Sequence, residues 1–125
     1  MLGILKFNDE RMTYYSGVSE KGISLYKNMV KYLYDNKEYF LLEGVECEWD
    51  HDFLDVTFKK NDVRISFHLW NDETLTYEIY DEVLEEHLGG SYFTLDMNNE
   101  ENMRELEELK EVMKRFKDYD RNGEI

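Results

Sequence analysis

Residues 45–80 read VECEWDHDFLDVTFKKNDVRISFHLWNDETLTYEIY, and the alternation of apolar and polar side chains along this stretch decides the fold. Val45, Cys47 and Trp49 share one side of an extended chain, while Glu46, Glu48 and Asp50 share the other. After Asp50-His51-Asp52 the apolar set shifts phase to Leu54, Val56 and Phe58, which a hairpin explains. Asn61-Asp62 is a second turn signal. It leads to Val63, Ile65, Phe67 and Leu69 facing in, and Arg64, Ser66, His68 and Trp70 facing out. Asn71-Asp72-Glu73 marks a third turn, followed by Leu75, Tyr77 and Ile79 inward and Thr76, Glu78 and Tyr80 outward. Strands at about ten-residue spacing with short links predict an antiparallel meander with one packed and one wet face.

Working outward, Ile23, Tyr26, Val30 and Leu33 recur at helical steps between a Ser19 N-cap and an end at Asp35-Asn36. Leu25, Met29 and Tyr34 widen that apolar face. Ile4 to Phe7 fits a strand or an arm, and Asn8 to Gly17 is rich in turn formers. Beyond the meander, Val83, Leu84, His87 and Leu88 cluster at helical spacing, so residues 81–88 fit a short helix ended by Gly89-Gly90, with a strand as the alternative. Tyr92 to Met97 then fits a fifth strand. Asn98 or Asn99 caps a final helix with Leu106, Leu109, Met113 and Phe116 as its buried stripe. Glu100 and Glu101 suit its N-terminal dipole, and Lys114, Arg115 and Lys117 its C-terminal end. The expected fold is α+β: a meander of four or five strands with an N-terminal and a C-terminal helix on one sheet face, in one domain spanning 1–125.

Charge is the second decisive feature. The chain carries 29 acidic residues against 15 basic ones in 125. Seventeen of the acids fall in two windows, Glu38 to Phe58 and Ile65 to Met103, that contain no Lys or Arg, so the remainder is slightly basic. A surface of that sign favours basic partners and repels nucleic acid. Ten Tyr, seven Phe and two Trp argue against a disordered acidic chain. The single cysteine, Cys47, excludes an internal disulfide framework and fits a reducing compartment. No run approaches the roughly 18 apolar residues of a membrane span. With no signal-peptide pattern at the N-terminus, the expected location is the cytoplasm.

Glu46, Glu48, Asp50 and Asp52 sit at alternate positions, so a strand would aim all four to one side at steps of about 6.5–7 Å. Such a row imitates a phosphate backbone or meets the Lys/Arg-rich site of a nuclease. Its plainer reading is a solvated face that protects an edge strand. Parallel carboxylates do not converge on an ion, which argues against a metal site there. Trp70, Glu78 and Tyr80 fall on the same outward face with His68, and aromatic anchors among carboxylates are the composition of a protein-interaction hot spot unless another element covers them.

The remaining chemistry is thin. Asp118, Asp120, Asn122 and Gly123 resemble the first positions of an EF-hand calcium loop, but the closing glutamate at position twelve is missing, so a frayed helix end is expected instead. His51, His68 and His87 lack ligand spacing; His51 is expected as a solvated imidazole in its turn, and Cys47 as a buried structural thiol. No residue is assigned a catalytic or metal-binding role, and no cofactor is expected.

Size, acidity and cysteine usage are similar to those of bacterial immunity proteins, a resemblance of class and not of motif. It implies a non-enzymatic inhibitor that blocks a basic partner such as a nuclease toxin; the outward alternation places the expected partner contacts at Glu46, Glu48, Asp50, Asp52, Trp70, Glu78 and Tyr80. A phage-encoded inhibitor of a host defence system, acting as a nucleic-acid mimic, has the same physical description. A small enzyme or ligand-binding domain using Glu46, Glu48, Asp50 or Glu78 with His68 is the competing class, and homodimerisation through the sheet or terminal helix is the structural alternative.

Overall fold

The computed structural model describes residues 5–70, 74–94 and 100–119, which form an α+β fold. Three helices, α1 (Asp9–Ser16), α2 (Glu20–Asp35) and the single turn α3 (Lys37–Phe40), precede five strands and a last helix. The strands are β1 (Glu46–Asp50), β2 (Asp55–Lys60), β3 (Val63–Leu69), β4 (Thr74–Asp81) and β5 (Glu86–Thr94); α4 (Glu100–Asp118) closes the order. Every strand pairs antiparallel with its sequence neighbour, giving the sheet order β1-β2-β3-β4-β5.

The register follows the alternation. Cys47 lies opposite Phe58, Trp49 opposite Val56, Phe58 opposite Ile65, and Ile65 opposite Ile79, so the apolar residues form continuous rows on one face. That face buries Val56, Phe58, Val63, Ile65, Phe67, Leu69, Leu75 and Ile79 against the apolar stripes of α2 and α4. In α2 the stripe is Ile23, Tyr26, Met29, Val30 and Leu33, and in α4 it is Leu106, Leu109, Met113 and Phe116, as the spacing predicts. Ser19 caps α2, accepting the Gly22 amide on its hydroxyl at 3.2 Å. The two helices also meet through Tyr32, whose hydroxyl donates to Glu107 at 3.2 Å. Asn61 (φ 50°) and Asp62 (φ 64°) form the tight two-residue turn between β2 and β3, where left-handed backbone suits the twist of the flanking strands.

Three segments left open by the sequence take definite form. Asn8 to Gly17, rich in turn formers, holds a helix. Asn8 accepts the Arg11 amide and nucleates α1, and Gly17 (φ 70°) closes it by donating its amide to Thr13. Residues 5–8 join no strand of the sheet. Of the helix and strand readings of residues 81–88, the helix is absent: the segment is a turn followed by the start of β5. Asp81 is fully buried and its Oδ1 accepts the amides of Val83 at 2.9 Å and Leu84 at 3.1 Å, bending the chain back at once. Val83 and Leu84, which suggested a helix face, are exposed at the tip of this turn. Gly89 and Gly90 consequently lie inside β5, which begins at Glu86 instead of Tyr92. The expected caps at Asn98 and Asn99, the turn at Asn71 to Glu73 and the stretch from Leu95 to Met97 lie outside the described residues.

The assignment of sheet faces has a direct test. Phe58→Ala opens a cavity under α2 and α4 and is expected to lower stability by about 3–5 kcal/mol. Thr57→Ala, one residue away on the wet face, is expected to change it by about 0.5 kcal/mol or less. Urea unfolding of the two variants measures the contrast.

Candidate functional site

Because the register continues unbroken from β1 to β4, the outward residues line up in rows across the sheet. One row runs Glu46–Lys59–Arg64–Tyr80–His87, the next Glu48–Thr57–Ser66–Glu78–Gly90, and the third begins Asp50–Asp55–His68–Thr76. Among the described residues no helix or loop covers this face; Trp70 at its margin remains 51% exposed. Six of the seven expected contact residues, Glu46, Glu48, Asp50, Trp70, Glu78 and Tyr80, therefore lie on or beside one open surface.

Asp52 does not join them. β1 stops at Asp50, and residues 51–54 turn, with Leu54 at φ 58°, so the two-residue period lapses. Asp50 helps to end the strand by accepting the Phe53 amide at 3.3 Å. Asp52 points instead to α1, where Arg11 donates both Nε and Nη2 to its carboxylate, the shorter contact being 2.8 Å. This hydrogen-bonded guanidinium holds the Asp52 carboxyl below the usual carboxylate range. The residue fastens α1 to the β1–β2 turn.

His51 is likewise built in and not freely solvated. Its Nδ1 lies 2.7 Å from the Tyr26 hydroxyl, and its ring packs 4.7 Å from Phe7 and 6.1 Å from Trp49. Burial pushes the Tyr26 phenol far above its ordinary value, so it stays protonated and links α2 to the turn. Cys47 behaves as expected of a structural thiol. Burial, with Glu48 adding to it, pushes it up to about 12 and makes it a poor nucleophile.

The charges on the open face are unevenly placed. Lys59 reaches Glu48 at 3.5 Å, and Arg64 reaches Glu82 at 3.1 Å and Glu78 at 4.0 Å, so the middle of the sheet is mixed in sign. Toward the β1–β2 turn the acids stand together. Asp50 forms no ion pair with a described residue and lies directly across the strand pair from Asp55, whereas Glu46, at the other end of β1, stands opposite Lys59. Like charges in that position cost stability. Asp55 is bonded in turn to Nδ1 of His68, whose ring meets the edge of Trp70 at 4.4 Å. Trp70 is fixed by its indole N–H donating to Thr76 at 2.9 Å. Trp70 and the acidic end of the sheet are thus joined by Asp55 and His68, a connection visible in the sequence only as two outward residues on neighbouring strands.

Beside Trp70 the face sinks into an open depression of about 500 Å³ bounded by Ser66, His68, Thr76 and Glu78, with Gly90 at its β5 side. A side chain at position 90 would place its Cβ 2.6 Å from the Tyr77 carbonyl oxygen, so the glycine permits close pairing of β4 and β5 there. Among the described residues no three His, Cys, Asp or Glu side chains converge as metal ligands, and no helix is long and apolar enough to cross a membrane.

Removing the carboxylate at position 52 tests the α1 attachment through pH. A depressed folded-state pKa contributes stability that is present above the ordinary carboxylate value and lost as pH falls through the folded one. Wild type is therefore expected to exceed Asp52→Asn in urea midpoint at neutral pH. The difference should shrink steadily on acidification below about pH 4, where both carboxyl states protonate. A gap that persists undiminished at low pH contradicts the assignment.

No protein-family model, curated protein or solved structure significantly matches this chain.

Proposed function

We propose that this chain is a non-enzymatic binding protein of the inhibitor or immunity type, which docks the acidic end of its open sheet face on a basic protein surface. The observation that supports this most is the row Asp50–Asp55–His68 with Trp70 beside it. Two carboxylates are held directly opposite each other on an uncovered face, next to an exposed, immobilised indole. A surface serving only solubility would gain by spreading these charges. A surface serving recognition gains by concentrating them around an aromatic anchor. The partner that fits is a protein presenting Lys and Arg, most simply the nucleic-acid-binding surface of a nuclease toxin or of a defence nuclease. Nucleic acid itself is repelled by the same field.

The second reading, a small hydrolytic or ligand-binding domain, draws on the Asp55–His68 pair. An acid orienting an imidazole beside the hydroxyls of Ser66 and Thr76 is an arrangement that acid–base chemistry uses. The depression is open to solvent, however, and Trp70 packs on the imidazole, which favours the binding reading.

The two are separated by affinity capture with parallel variants, followed by reconstitution of the captured protein. Glu46→Lys/Glu48→Lys/Asp50→Lys is expected to lose the partner, whereas reversing three exposed or half-exposed acids of α4, Glu105, Glu108 and Glu111, should retain it. Trp70→Ala should weaken the purified complex by about 2 kcal/mol or more while leaving the unfolding midpoint nearly unchanged. Association should slow markedly as salt rises from about 0.05 to 0.5 M, because the Debye length contracts below 10 Å. Equal capture by the reversed protein contradicts the proposal.

A further inference from the structure

The acidic strand β1 is also an edge of the sheet, and the hydrogen-bond pattern decides which of its backbone groups face outward. Leu69 donates its amide to the Leu54 carbonyl at 3.2 Å. In an antiparallel ladder, opposed residues alternate between exchanging bonds and exchanging none. Counting from the Leu54–Leu69 pair, Val56, Phe58 and Lys60 direct their backbone groups to β3, while Asp55, Thr57 and Lys59 direct theirs to β1. Their opposites, Asp50, Glu48 and Glu46, bond inward to β2. The N–H and C=O groups of Cys47 and Trp49 therefore point away from the sheet, and no described residue pairs with them.

We infer that this edge receives an extended segment of the partner as a sixth strand, with basic side chains on one face and apolar side chains on the other. The inference rests on the proposed function and specifies its geometry. An added strand would lie about 4.8 Å from β1 and bond to the outward groups of Cys47 and Trp49. On the open face its side chains would stand next to Glu46, Glu48 and Asp50, where opposite charges are favourable neighbours. On the other face they would stand next to Cys47 and Trp49, both half-buried and packed against the core. Alternating Lys/Arg and apolar residues satisfy both sides at once.

A second copy of the chain does not fit. Pairing β1 with β1 sets carboxylates against carboxylates on the open face, which is the arrangement that natural edge strands use to prevent self-association. The same row that blocks a copy selects a basic segment.

The test uses the full chain and a short alternating Lys–Val peptide as the probe, with binding followed by amide exchange and by calorimetry. Three comparators are an acidic Glu–Val peptide, a Lys–Val peptide N-methylated on alternate residues, and the Cys47→Pro protein. Proline at position 47 removes an outward N–H without removing a ladder bond, so the fold should persist and near-ultraviolet circular dichroism checks this. The expected result is protection of the Cys47 and Trp49 amides by Lys–Val. Affinity should fall at least about tenfold on N-methylation or in Cys47→Pro, since one to two hydrogen bonds are lost. The Glu–Val peptide should not bind. Equal binding of the N-methylated peptide, or of Glu–Val, overturns the inference, as does absence of Lys–Val binding or protection of these amides by self-association. Those results leave the capture experiment untouched. Loss of capture on charge reversal would then keep the basic partner while rejecting strand addition.

Discussion

Everything in this molecule depends on the phase of one alternating pattern. With a side-chain period of two, a slip of one residue in any strand would move Val56, Phe58, Ile65 and Phe67 from the helices into water. The left-handed pair Asn61 and Asp62 and the buried Asp81 turn prevent such slips by fixing the lengths of two hairpins. The carboxylates of β1 face outward for the same reason. Cys47 and Trp49 must follow Phe58 and Val56 to the packed face, so Glu46, Glu48 and Asp50 have only the other side.

The meander, α2 and α4 were legible because each buries one face, and burial writes its period into the sequence. Ser19 and the Leu106–Phe116 stripe carried their elements without ambiguity. The failures share a cause. Asp81 reads as a surface acid, yet it is buried as the acceptor that makes a turn, and nothing in its neighbours announces this. Val83 and Leu84 mimicked a helix stripe only because exposed apolar residues carry no periodic meaning. Asp52 continued the acidic alternation by count, but count loses meaning where a strand ends, and its Arg11 partner lies forty-one residues away. His51 was misjudged similarly, since its phenol partner comes from α2.

The open face is neither a uniform acidic shield nor a pocket. Lys59 and Arg64 make its centre mixed in sign, and Asp55 is engaged by His68, which leaves Asp50 as the acid without an ion pair at the β1–β2 end. A mixed centre beside an acidic edge is a poor imitation of a whole nucleic-acid duplex. It is a better match to the proposed short basic segment approaching from one side.

Strand β1 is an edge whose carboxylate-bearing residues bond inward while the backbone groups of Cys47 and Trp49 point outward. Residue-resolved amide exchange on the isolated chain measures this most directly. Protection should alternate, with the Glu48 amide exchanging slowly and those of Cys47 and Trp49 exchanging rapidly. Uniform protection along β1 would mean that the edge is already occupied and cannot receive a partner's strand.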